Sequence, residues 1–171
     1  MEIQIQANQT RSEIFEVVAQ YLKELNLVVK TKDENRPWGG FFVLEEAMAE
    51  RSASIFFSEI DFNSLKISEK LSPKILIVAP KMRLSWQYHF RRAEIWKAIG
   101  GEVSVATSKT DVESDQIELA FGDIIKLQQG ERHRLIGKDN WGIVAEIWQH
   151  TDAKNPSDED DIVRLQDDFG R

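Results

Sequence analysis

Leu84-Ser-Trp-Gln-Tyr-His-Phe-Arg-Arg-Ala-Glu-Ile-Trp96 is the stretch on which the reading of this chain turns. Side chains alternate along an extended strand, so Gln87 and His89 point to the same face. After a short bend Glu94 opens the next strand, where its carboxylate can turn inward beside them. A second stretch completes the set: Gly122, then Gln128, Gly130 and His133. It supplies a turn, a strand, a tight second turn and an imidazole at the head of the returning strand. The four donors Gln87, His89, Glu94 and His133 suit one borderline divalent ion, zinc first, then manganese, iron, cobalt or nickel. The competing reading has them only hydrogen-bonding within a polar barrel core.

Outward from this pair of stretches the texture is that of short strands. β-rich runs fall near 41–44, 52–58, 74–79, 84–90, 94–99, 102–107, 117–120, 124–128, 132–136 and 141–149. Gly100-Gly101, Phe121-Gly122-Asp123, Gly130 and Gly137-Lys138-Asp139-Asn140 separate several of them. Many short strands at spacings of roughly 8–12 residues predict an all-β sandwich or barrel. Before them, Thr10 and Glu13 form a capping box. Ile14, Val17, Val18, Tyr21, Leu22 and Leu25 then recur at helical spacing, which predicts an amphipathic helix over 11–26 packed on a sheet. Residues 31–40 read as a loop. The polar stretch 151–161 reads as a linker or solvated tail, followed by a short docking segment at Ile162, Val163 and Leu165.

Composition narrows the functions. With 171 residues the chain is long enough to bury a core unaided. It has no cysteine, which excludes disulfides and thiolate metal sites and is in keeping with a cytoplasmic protein. The N-terminus lacks a basic region followed by an apolar run, so no secretory signal is expected, and no stretch reaches the ~20 apolar residues of a membrane span. A net charge of −7 without a basic stripe argues against nucleic acid as a partner. A phosphorylated small molecule stays open, because one or two local arginines can hold it.

The two halves together resemble the paired cupin motifs, G-x₅-H-x-H-x₃₋₄-E-x₆-G and G-x₅-P-x-G-x₂-H-x₃-N. Here Gln87 stands for the first His, Gln128 for the Pro, Gly137 for the Asn and Lys81 for the opening Gly. Gln at that first position is typical of the type II phosphomannose isomerases, often found as the C-terminal domain of mannose-1-phosphate guanylyltransferases. Three segments resemble that branch: Arg36-Pro-Trp-Gly39, the stretch 84–96, and Glu159-Asp-Asp-Ile-Val-Arg-Leu-Gln-Asp-Asp-Phe-Gly-Arg171.

The resemblance implies a cupin double-stranded β-helix, a jelly-roll barrel, over residues 31–171 with an N-terminal helical extension over 1–30. It implies a metal-dependent isomerase of mannose 6-phosphate and fructose 6-phosphate, or of a related sugar phosphate. The alternative is a cupin that binds metal and sugar without turnover. Arg164, in the matched C-terminal segment, and Glu146, in the last long strand, are the expected catalytic residues. Arg91, Arg92 and Trp38 are the expected substrate contacts. His150, the remaining imidazole, reads as an exposed residue at a strand end. A homodimer through strand edges is the expected assembly.

Overall fold

The computed structural model of the chain describes residues 2–6 and 8–171; positions 1 and 7 of the expected extension lie outside them. Helix α1 (Arg11–Glu24) starts where the capping box places it: the Glu13 N–H donates to the Thr10 hydroxyl and the Thr10 N–H to the Glu13 carboxylate. It buries Ile14, Phe15, Val18 and Leu22. Each such side chain contributes about 1.5–3 kcal/mol by leaving water.

Two antiparallel sheets follow. The first has the order β1 (Val29–Arg36), β2 (Gly39–Leu44), β3 (Lys74–Val78), β10 (Gly142–His150), β5 (Arg92–Gly100), β8 (Ile124–Leu127). The second has the order β11 (Val163–Gln166), β4 (Trp86–Tyr88), β9 (Arg132–Gly137), β6 (Val103–Ser108), β7 (Ile117–Leu119). They face each other as a cupin-type jelly roll, with an apolar barrel interior of Leu76, Val78, Trp96, Ala98, Val103, Val105, Leu135 and Val144. The other face of the first sheet presents Ile75, Ile77, Ile95, Ile143 and Ile147 to α1 and to α2 (Ala49–Phe56). That sheet is therefore buried on both sides, which explains why Lys74–Val78 is buried at every position.

Three expectations are corrected. Residues 52–58 are not a strand: Ala49, Ser52, Ala53 and Phe56 recur at helical spacing and form the buried face of α2. A short apolar run fits either period, and packing beside α1 selects the helix. Residues 31–40 are not a loop but the greater part of a hairpin, β1 and β2 joined at Pro37-Trp38. β1 is charged because it is an edge strand, where polar side chains block further pairing. The stretch 151–161 is a solvated linker only in part: Asp158, Glu159 and Asp160 are exposed, but Ser157 and Asp161 are buried and fix it to the barrel. Beyond it, Val163–Gln166 pairs with β4 as a strand.

Local backbone also explains two motif departures. Lys81 has φ of 60°, so it holds the left-handed conformation that favours glycine at the position where the paired motif has Gly. At Gly137 a Cβ would lie 2.2 Å from the Ala79 carbonyl oxygen, leaving no space for the Asn of the motif.

Candidate metal centre and cavity

The two half-motifs meet at one end of the barrel. Gln87 pairs with His133 across β4 and β9, and Arg164 pairs with Gln87 across β11 and β4. The Gly130 N–H donates to the His89 carbonyl at 3.0 Å, tying the second glycine turn to the first stretch. Glu94 approaches from the opposite sheet, where it lies beside Trp148 on β10.

These placements bring His89, Glu94 and His133 together, all buried, with one ligand atom of each within 4.8 Å of the others. The imidazoles of His89 and His133 have centroids 5.1 Å apart. His89 Nε2 lies 3.2 Å from Glu94 Oε1, and His133 Nε2 lies 3.4 Å from Glu94 Oε2. Both rings face backbone carbonyls through Nδ1: His89 to Asp161 at 2.6 Å and His133 to Glu131 at 2.9 Å. A carbonyl only accepts, so the proton sits on Nδ1 and Nε2 offers its lone pair, the tautomer that second-sphere carbonyls fix in metal ligands.

The fit to a cation can be tested on the polar atoms themselves. Glu94 Oε2 and His133 Nε2 are buried and have no hydrogen-bond partner among the described residues. Two acceptors facing each other without a donor between them are costly unless a cation lies there. Burial by itself would raise the Glu94 carboxyl, but His89, the Arg92 guanidinium and His133 outweigh it and hold it well below the usual range. Burial pushes the His89 imidazole down to about 3. An ionised carboxylate and a neutral imidazole are the forms that bind metal, and this group could hold a metal ion. Gln87 lies opposite His133 in strand register, its Oε1 accepting from the Ser85 hydroxyl at 2.6 Å.

A cavity of about 380 Å³ opens against this end of the barrel, within the range of ~300–1,000 Å³ usual for small-molecule sites. His89, Glu94 and His133 do not line it; Gln87, opposite His133 in strand register, and Trp96, whose ring centroid lies 5.4 Å from that of His133, are in its wall, so the cavity adjoins the cluster through them. Trp38, Trp96 and Trp148 supply aromatic faces, and Arg36, Lys74, Arg164 and Arg171 supply cations. Lys74 is paired with Glu159, Arg36 with Asp33 and Arg171 with Asp167. The Arg164 side chain has no hydrogen bond or ion pair among the described residues. Burial, and next the Arg171 charge, lower its pKa, against the opposing carboxylate of Asp167.

Glu146 lies in the same wall and accepts from the Trp96 indole N–H at 3.0 Å. Burial, and next the Glu94 charge, push its carboxyl up to about 8. The indole N–H of Trp148 is buried without a partner among the described residues.

Three residues singled out from sequence sit elsewhere. Arg91 turns outward and donates to Asn155 Oδ1, the Pro156 carbonyl and Asp158. Arg92 is buried against Glu94 and His89 and does not line the cavity. His150 is not exposed but fully buried, with Nε2 at 3.0 Å from the Ser72 hydroxyl. Sequence reasoning passed over Lys74, Arg36 and Arg171 as site residues. For Lys74 the signal was there: it shares strand parity with Leu76 and Val78, so a lysine opens an inward-facing apolar row.

Residues 48–167 match the family described as mannose-6-phosphate isomerase C-terminal. Among solved structures, vicilin from tomato (Solanum lycopersicum) is 19% identical with a TM-score of 0.53, the match covering 81% of this chain and 35% of that one. Vicilin from hazelnut (Corylus avellana) is 16% identical with a TM-score of 0.53, covering 81% and 36%. The capsular polysaccharide assembling protein CapF from Staphylococcus aureus is 14% identical with a TM-score of 0.50, covering 82% and 34%. These likenesses show the fold alone, and the chain spans about a third of each of those three structures. No curated protein matches the chain. Among the described residues, no helix is long and apolar enough to cross a membrane.

Proposed function

The chain belongs to the mannose-6-phosphate isomerase C-terminal family, and from that membership we propose a metal-dependent isomerase of sugar phosphates, interconverting mannose 6-phosphate and fructose 6-phosphate or a close relative. The observation that supports the reading is adjacency: Gln87, Trp96, Glu146 and Arg164 border one cavity, and the Trp96 ring lies 5.4 Å from the His133 imidazole of the donor cluster. His89, Glu94, His133 and Gln87 would hold the ion. When bound, it would supply positive charge against the oxygens on which negative charge develops as the proton moves between C1 and C2.

The remaining work falls to the chain's own side chains. Arg164, which has no ion-pair partner among the described residues, would take the phosphate. Trp38 offers an apolar face to a sugar ring; the Trp148 ring is held between Lys74 and Arg92, and its indole N–H, without a partner among the described residues, offers a donor to a hydroxyl. Glu146, with its pKa of about 8 beside the donor group, would carry the proton at its carboxylate oxygen. Its Trp96 hydrogen bond keeps that carboxyl oriented.

The test uses the full chain, stripped of metal and reloaded in turn with zinc, manganese, iron, cobalt or nickel, and assayed for conversion of mannose 6-phosphate to fructose 6-phosphate. Turnover that vanishes in His133→Ala and in Glu146→Gln is the expected outcome. Sugar-phosphate binding with every ion but turnover with none would replace the isomerase by a binding protein of the same cavity.

A further inference from the structure

Arg92 is the residue that the readings above leave unused. It is 4% exposed, and its guanidinium lies within the donor group itself. Nε donates to Glu94 Oε1 at 2.7 Å, and Nη2 lies 3.1 Å from His89 Nε2. Because His89 Nδ1 gives its proton to the Asp161 carbonyl, Nε2 is the acceptor of that second contact. Nη1 reaches the Ser157 hydroxyl at 2.8 Å and the carbonyls of Asp158 and Asp161 at 3.1 and 3.2 Å. The Trp148 ring lies 3.6 Å from the guanidinium carbon.

The donor group is thus divided. Glu94 Oε2 and His133 Nε2 have no hydrogen-bond partner among the described residues, whereas His89 Nε2 and Glu94 Oε1 are engaged by a fixed cation. A carboxylate oxygen has two lone pairs and can serve a guanidinium and an ion together. An imidazole nitrogen has one in-plane lone pair and cannot. Resting on the reading of this cluster as a metal site, we propose that Arg92 is an internal competitor for His89 Nε2 that sets how tightly, and with how many protein ligands, the ion is held. Full coordination requires Nη2 to leave His89, and the guanidinium charge repels the divalent ion from the same buried space. The Nη1 contacts hold Arg92 to the 157–161 segment, so it resists that displacement.

Manganese chloride titrated into the full chain, with free ion read by electron paramagnetic resonance, tests this without any turnover. Arg92→Gln keeps a donor for Glu94 and removes the charge and the fork; its dissociation constant should fall at least ten-fold below that of the unsubstituted chain. Arg92→Lys, which keeps the charge and loses the fork, should lie between them. Equal or weaker binding by a folded Arg92→Gln overturns the role of Arg92 and leaves the metal reading standing. Absence of binding by both proteins overturns the metal reading and this inference with it. If Arg92→Gln does not fold, the unsubstituted chain decides. Under zinc titration the ¹⁵N resonance of Arg92 Nη2 should shift in step with occupancy, and a resonance unmoved at saturation overturns the proposal.

Discussion

Glu94 and Glu146 share one barrel interior and ionise in opposite senses, and each has a measurable consequence. Glu146, raised to about 8, keeps its proton in the folded chain while the unfolded chain loses it near the ordinary value of 4.5. Between those values the folded state binds the extra proton, so its contribution to stability is present below about pH 4.5 and is lost as pH rises toward 8. Urea denaturation of Glu146→Gln should therefore show a flatter fall in stability from pH 5 to 8, by on the order of a few kcal/mol. Glu94→Gln has another effect, because it leaves the buried Arg92 guanidinium without its carboxylate. A loss of about 3 kcal/mol is expected for breaking such a pair, read as a lower urea midpoint at neutral pH. At this scale the two imidazoles were legible because glycine turns and strand parity fix their direction. Arg92 was not, since its acceptors at 157–161 lie some 65 to 69 positions away in sequence.

Elements were legible where their signals are local. The Thr10–Glu13 box marked the start of α1 correctly, and Thr10→Ala should cost about 1 kcal/mol in a thermal or urea melt. The α2 helix was not legible as a helix because Ser52-Ala-Ser-Ile-Phe-Phe57 satisfies strand and helix patterns alike. Its Phe56 is nonetheless core, and Phe56→Ala should cost about 3–5 kcal/mol in the same measurement. The burial of Ser157 and Asp161 within the polar stretch 151–161 was not legible because their partners, Phe90, Arg91 and Arg92, lie far away in sequence. In the fold, Asp161 accepts from the Phe90 and Arg91 N–H groups at 3.0 and 2.9 Å and from the Ser157 hydroxyl at 2.6 Å. Burial alone would raise Asp161, but these hydrogen bonds, with Arg92, hold it below its ordinary 3.8. Its stabilisation is present above about pH 3.8 and is lost as the pH falls below that value. Asp161→Asn should therefore weaken the segment at neutral pH, seen as faster proteolysis near Asn155, and should flatten the acid limb of the stability curve.

For the whole molecule, a chain of net charge −7 gathers Arg36, Lys74, Arg164 and Arg171 around one cavity. Three of these cations are paired with carboxylates, and Glu159 and Asp160 share the wall, so among the described residues the cavity presents one uncompensated cation, Arg164, which suits a small anion rather than an extended polyanion. Arg164→Ala should raise KM for a phosphorylated sugar at least ten-fold with little change in kcat, a loss of about 1.4 kcal/mol in binding common to ground and transition states. The same variant should leave the melting temperature within about 2 °C, because the residue is exposed and its side chain has no partner to lose among the described residues.

The unequal covering of the two sheets has its own consequence. β3, β10 and β5 are enclosed by helices on one side and barrel on the other, so their amides belong to the last part of the chain to open. Glu94 rides on that slow-exchanging wall, while His133 and Gln87 ride on the thinner one. A cation caught among them would rivet the less covered wall to the enclosed one, and deuterium uptake along β4 and β9 should slow on metal loading far more than uptake along β3.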